Sequence, residues 1–550
     1  MDEDGQVYQV NLLEKLLVPL LCKLGNLVVD GGIWLNTQRP EWNDANNALV
    51  GQGVSMVTLN YLRRYVNFLQ GLLDTLQGGV EVSYEVVLWL HESSKILETL
   101  TPELSGKPIS DLLRYQTLEG LGQASYRYRQ AVYKTERFSH KAECDVAEIK
   151  AFLSHALSAI EHTISTSCGE NGLYQSYNLL ELTEGKARVK NLYPMLEGQV
   201  AALSSGAISV EKSADVLTAL FVSDIYRPDQ KTFMLYPDRA QTSFLEKNLI
   251  AATQLNECPI LLTMLKSGDE RVVLQDVHGH YRFNANFKNN GDLLEQLERL
   301  KPEYPALDMR AQTKIEAIYE AVFNHQAFTG RSGGMFGFEG LGSVYWHMVS
   351  KLLLAAKENF YLAVEQEADD ALVKRLGSLY YRIREGIGFN KSPEEYGAFP
   401  CDPYSHTPKH AGAQQPGMTG QVKEEILTRF GELGIHVANG KVTFAPNLLR
   451  IQEFITEHRQ FEYLDVHEQW QVIPVSSNSL AFTWCQVPIV YKLCQGPTRL
   501  TIELADGVIK TSESLSLDTE HARLLFTRSG DIRQLTISLP HNHLFDAPDN

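Results

Sequence analysis

The sequence predicts a mostly α fold, on three observations. Apolar residues recur at helical spacing from about residue 11 to 435. The texture turns to short strand-like runs between 222 and 300, and paired runs around turn dipeptides fill the chain from 435 onward. The expected division is a helical region at 1–221 and 301–434, an inserted α+β segment at 222–300 and a C-terminal, sandwich-like β domain at 435–550. At 550 residues the chain is too long for one simple core.

The first helix is expected at 11–24. Leu12, Leu13, Leu16, Leu17, Leu20, Leu21 and Leu24 make one apolar face, with Pro19 as a kink. The run is short and broken by Glu14, Lys15 and Lys23, so it reads as a buried helix and not a membrane span. Gly51 and Gly53 punctuate the chain before a second stripe of Val54, Val57, Thr58, Tyr61, Leu62, Tyr65, Leu69, Leu72 and Leu73. Arg63 and Arg64 fall on its solvated side. Further helices are expected at 83–100, 146–165, 207–221, 310–324, 343–365, 368–382 and 420–433. Long helices joined by polar loops suggest an array of helical hairpins, and no fixed sequence repeat is visible.

Within 222–300, strands are expected at 232–236, 259–264, 271–276 and 280–284. Tyr226–Gln230 and Tyr236–Arg239 read as turns built on Pro and Asp. In the last part, Asn439-Gly440, Asp506-Gly507 and Ser529-Gly530 each sit between apolar runs and predict hairpins, the third joining 524–526 to 535–539.

Composition excludes several classes. A formal net charge of −17 argues against nucleic-acid or anionic-membrane partners, both of which reward a basic surface. Cysteines 22, 144, 168, 258, 401, 485 and 494 show no metal-type pairing, and an odd, scattered set suggests free thiols in a reducing compartment. Asp2, Glu3 and Asp4 are the reverse of a signal peptide's positive start, so a cytoplasmic location is expected.

Four polar loops interrupt the helical region: 38–47, with Trp42-Asn43-Asp44; 329–343, with glycines 333, 334, 337, 340 and 342; 396–407; and 408–420. Glycine lets backbone approach a ligand closely. Neither a P-loop nor a G-x-G-x-x-G after a strand is present, and no G-x-S-x-G marks a nucleophile. His406 and His410 are separated by Pro408 and lack H-E-x-x-H, so no metal site is expected. Thr419-Gly420 opens a helix, where a hydroxyl and free N–H groups suit an anion; the plainer reading is an N-cap.

Sugars need carboxylates and carboxamides for their hydroxyls and aromatic faces for their C–H surface. The loops supply Trp42, Tyr345, Trp346, Tyr396, Phe399 and Tyr404 beside Glu41, Asn43, Asp44, Glu339, Asp402 and Gln415. Any one of these aromatics is more commonly a core residue; four such loops on one scaffold point to a sugar cleft.

The order of these motifs resembles the cellobiose and chitobiose phosphorylases: a Trp-Asn-Asp loop between helices, a glycine-rich segment ending near a His, a Thr-Gly helix start and a C-terminal β domain. The resemblance implies an (α/α)6-barrel-like catalytic domain and an inverting glycoside-active enzyme. It implies that Asp44 is the general acid; the loop residues themselves make Arg39, Glu41, Trp42, Asn43, Trp346, Tyr404 and Gln415 the candidates around the substrate, with Arg39 otherwise a structural clamp. Phosphate binding falls on His347, with His406 or His410 as alternatives, and on Thr419 with Gly420. No cofactor is expected beyond inorganic phosphate as co-substrate. The family's N-terminal β-sandwich and first barrel helices have no counterpart in this sequence. An N-terminal portion or a partner completing the barrel is therefore expected, and a homodimer is left open.

A phosphorylase needs one carboxyl, because phosphate is the nucleophile. An inverting hydrolase would need a second, roughly 6.5–9.5 Å away, to activate water; Glu339 is the candidate, with Asp402 behind it. Enclosure beside Trp42 would raise the Asp44 pKa, Glu41 would add repulsion, and Arg39 would offset it. A third reading is a non-catalytic carbohydrate-binding or fragmentary subunit.

Overall fold

Asn11 accepts a hydrogen bond from the Glu14 N–H and opens α1 (Leu12–Leu24), which buries Leu17, Leu20, Leu21 and Leu24. A computed structural model describes residues 7–36, 49–237, 246, 248–323, 346–387 and 422–546. After α1 the chain makes two short strands, β1 (Leu27–Val28) and β2 (Gly32–Trp34). It returns as β3 (Gly53–Ser55), whose last residue caps α2 (Met56–Leu73). Gly32 is required at the β1–β2 turn: its φ is +124°, and a Cβ there would lie 2.7 Å from the Ser55 carbonyl carbon.

A two-stranded ribbon, β4 (Gly79–Ser83) with β5 (Lys141–Asp145), sets the starts of α3 (Tyr84–Leu100) and α5 (Val146–Thr166). Between them runs α4 (Asp111–Thr135), antiparallel to α3 and absent from the sequence expectations. The hairpin β6 (Tyr177–Thr183) and β7 (Lys186–Asn191) completes a sheet of order β1-β2-β3-β6-β7, antiparallel throughout. Next come α6 (Leu196–Ser205) and α7 (Val210–Phe221), and later α12 (Trp346–Glu365), α13 (Asp370–Glu385) and α14 (Val422–Glu432). One apolar core joins α1 to α7 with α12 and α13.

Between these two groups, the turn at Tyr226–Gln230 separates β8 (Tyr226–Arg227) from β9 (Thr232–Phe233). A second core then holds α8 (Ala252–Asn256), α9 (Pro259–Lys266), β10 (Val273–Gln275), β11 (Tyr281–Phe283), α10 (Asn290–Leu300) and α11 (Met309–Phe323). This packing continues past residue 300, the boundary drawn from sequence. The strand expected at 259–264 is a helix. Pro259 stands in its first turn, where proline is favoured, and Leu261, Leu262 and Met264 outnumber the β-branched Ile260 and Thr263.

The remaining residues are β-rich. The Asn439-Gly440 hairpin joins β12 (Ile435–Ala438) to β13 (Lys441–Phe444), with both turn residues at positive φ. A protruding hairpin, β14 (Arg459–Leu464) with β15 (Trp470–Val475), precedes β16 (Ser479–Trp484), β17 (Val487–Leu493), β18 (Arg499–Leu504) and β19 (Ile509–Ser512). The short β20 (Ser516–Leu517) pairs with β13, and β21 (Ile532–Leu539) enters a mixed sheet of order β16-β17-β21-β18-β19. The Asp506-Gly507 turn joins β18 to β19 as expected. The Ser529-Gly530 hairpin does not form. Residues 524–526 end a helix, α15 (Thr519–Phe526), capped by Asp518, so the chain beyond 435 is not wholly β. About 47% of the described residues are helical, which is consistent with a mostly α class.

His436 on β12 packs edge-on against Tyr361, ring centroids 4.6 Å apart. Burial, then the Lys357 charge, hold its pKa below the ordinary 6.5, with Glu365 opposing. The unfolded chain therefore binds a proton that the fold resists. Stability should fall as pH drops through 6.5. His436→Gln should flatten that acid limb in a pH series of urea melts; an unchanged limb would remove His436 as its source.

Candidate functional site

Three helices follow the polar segments singled out from sequence, and with α6 they share one end. Loop 38–47 leaves and returns through a tied neck: the Gly51 N–H donates to the Leu35 carbonyl and the Leu35 N–H to the Gly53 carbonyl, 2.7 and 2.9 Å. From there β3 runs into α2. Loop 329–343 precedes α12, and the loops spanning 396–420 precede α14.

Ser176 ties the start of α2 to that of α6. Its carbonyl accepts from the Met56 N–H, and its Oγ accepts from Gly198. Midway along α2, Arg63 reaches the carbonyl of Ser205 at the end of the shorter α6, so the two helices are parallel. Lys351 meets Glu424 in the early turns of α12 and α14, and Tyr361 Oη bonds the Gly431 carbonyl near their ends, so these two are parallel also. Arg64 bridges α2 to Glu358 of α12.

The shared end carries a polar cluster that sequence reasoning missed. Glu197, 1% exposed, accepts from Tyr177 Oη at 2.6 Å. Glu424, 3% exposed, takes the Lys351 ammonium at 2.8 Å, while its Oε2 is buried with no partner. Burial first, then the charge of Glu358, pushes the Tyr61 phenol up to about 12, with Glu197 and Glu424 adding to it. Glu197 and Glu424, in the first turns of α6 and α14, thus lie within electrostatic reach of one side chain.

Helix N-termini present unpaired N–H groups and a positive partial charge of about +0.5 each. At α2 and α6 such groups are already engaged, Met56 on Ser176 and Thr58 on Ser55 in α2, Leu196 on Leu235 and Gly198 on Ser176 in α6, while the buried Glu197 and Glu424 add negative charge. A cavity of about 640 Å³ opens beside the neck of loop 38–47, lined by Trp34, Asn36, Trp89, Tyr115, Glu119 and Arg129 among others. Apolar and aromatic side chains, Ile33, Leu35 and Leu118 among them, make up most of its wall, with a few carboxamides and charges between them.

The residues singled out from sequence mostly lie outside the described residues: Arg39, Glu41, Trp42, Asn43, Asp44, Glu339, Tyr404, His406, His410, Gln415, Thr419 and Gly420. Trp346 and His347 are described, as the first two residues of α12, with His347 half-buried. Among the described residues no helix is long and apolar enough to cross a membrane.

Residues 241–326 match the family model of GH149 phosphorylase insertion domain 2. The match supports an enzyme of the glycoside phosphorylase type and does not single out the cellobiose and chitobiose phosphorylases. The match overlaps the α+β segment expected at 222–300 and extends through α11. Comparison with curated proteins gives no match.

Proposed function

We propose that the chain carries the catalytic loops of a glycoside phosphorylase that cleaves a β-linked disaccharide or oligosaccharide with inversion. The match of 241–326 to a phosphorylase insertion domain carries the reading and favours phosphorolysis over hydrolysis. Asp44 protonates the glycosidic oxygen, and inorganic phosphate attacks the anomeric carbon from the opposite face. Glu339 then has no base to supply. The dipoles at the neighbouring starts of α12 and α14 support an anion there. His347 stands at one of those starts, and Thr419 with Gly420 precedes another. The helices α1 to α7 with α12, α13 and α14 form a barrel-like catalytic domain.

Incubation with a panel of β-linked gluco- and chito-oligosaccharides, with and without phosphate, tests this. The expected product is a sugar 1-phosphate of inverted (α) configuration, formed only when phosphate is present. Equal cleavage without phosphate would replace phosphorolysis by hydrolysis.

A further inference from the structure

Away from the shared helix end, His91, Cys144 and Glu148 bring an imidazole, a thiol and a carboxylate together. One donor atom of each lies within 4.8 Å of the other two. They come from three elements: the middle of α3, the last turn of chain in β5 and the first turn of α5. The ribbon of β4 and β5 holds those elements in place. The Val146 N–H donates to the Gly78 carbonyl and the Tyr84 N–H to the His140 carbonyl, so both helices start from one platform.

We propose that these three side chains form a binding site for a zinc-class divalent cation, with water as the fourth ligand. The donor set decides the class. One sulfur, one nitrogen and one oxygen suit a borderline-soft ion such as Zn²⁺, whereas Mg²⁺ and Ca²⁺ take oxygen shells. Ligands around a tetrahedral Zn²⁺ stand roughly 3–4 Å apart, since Zn–S is about 2.3 Å and Zn–N about 2.0 Å. His91 Nε2 and Glu148 Oε2 are already 3.2 Å apart.

Exposure gives the site a dry side and a wet side. Cys144 is 1% exposed, while the His91 and Glu148 side chains are 45% and 53% exposed. The buried thiol forms the floor and the other two the rim, which leaves the remaining position to water. Cys144 is a free cysteine. On ligation it gives its proton to solvent, and the ion holds the thiolate. Such a site would pin α3, β5 and α5 together from outside the core.

The plainer account has Cys144 as a small apolar core residue beneath a surface His–Glu pair worth little to stability. The two accounts separate in solution. The whole chain, stripped of metal and kept reduced by a non-chelating phosphine, is titrated with Co²⁺. The expected result is one equivalent bound with a thiolate-to-Co²⁺ charge-transfer band, displaced by Zn²⁺. Cys144→Ser should abolish the band although five other described cysteines remain. His91→Ala, at an exposed position that leaves the core untouched, should weaken Zn²⁺ by at least the roughly 10–100-fold that loss of an outer-shell partner costs. Zn²⁺ should also raise the melting temperature of the unaltered chain and not of His91→Ala. Absence of the band, its persistence in Cys144→Ser, or unchanged Zn²⁺ affinity in His91→Ala each overturns the proposal.

Discussion

With Asp44 as the proposed general acid, replacing it by Asn should lower phosphorolysis by ~10²–10⁴-fold, the range that such a group contributes. The side chain keeps nearly its size and polarity, but a carboxamide has no proton to give the departing oxygen. The defect should therefore depend on the leaving group. A sugar leaving group is a poor alkoxide and needs the proton. A dinitrophenolate leaves without it, so a dinitrophenyl β-glycoside should be cleaved by Asp44→Asn at close to the rate of the unaltered chain. A loss that is equal for both substrates would mean that Asp44 shapes the site without donating. Full retention of activity on oligosaccharides would remove it from the chemistry.

What the sequence could mark and what it could not is a matter of range. Trp42-Asn43-Asp44 is a contiguous signal, and the leucine faces of α1 and α2 on either side repeat without a break. The polar cluster at the shared helix end is assembled from pairs that nothing local marks. Tyr177 and Glu197 are 20 residues apart, and Lys351 and Glu424 are 73 apart. The helix α6, which carries Glu197, is buried almost all round and so shows no amphipathic period.

The helix α4 escaped notice for a different reason. Its core side is Leu118, Leu121 and Ala124, set among Gly120, Gly122, glutamines, tyrosines and arginines, and at Arg114 a charge occupies a buried position. A run such as 259–264 is short and apolar throughout. Periodicity cannot separate helix from strand there, and packing chose helix.

That buried Arg114 leads to the second large effect. Its side chain is 5% exposed and spends its donors on the β1–β2 turn and its surroundings. Nε donates to the Val29 carbonyl at 2.7 Å, Nη1 to Asp111 and the Ala187 carbonyl, and Nη2 to Asp30 and the Ile109 carbonyl. Asp30, itself at φ 62°, also accepts from the Ile109 N–H and Thr166 and lies 3.1 Å from His162 Nε2. Arg114→Ala would leave the Asp30 carboxylate buried without its main counter-charge, a loss of about 3–5 kcal/mol. Arg114→Lys keeps the charge but not the planar fork, and should recover only part of it. Adding Asp30→Asn to Arg114→Ala should restore some stability, because the stranded charge is then gone. Urea unfolding followed by far-UV dichroism measures all three. A cost below about 1 kcal/mol for Arg114→Ala, in the range of an exposed pair, would show that the network is solvated and not a clamp. Since the clamped turn feeds β2, and β2 leads to the loop of Asp44, the same variant should lose phosphorolysis at denaturant concentrations where its helices still persist.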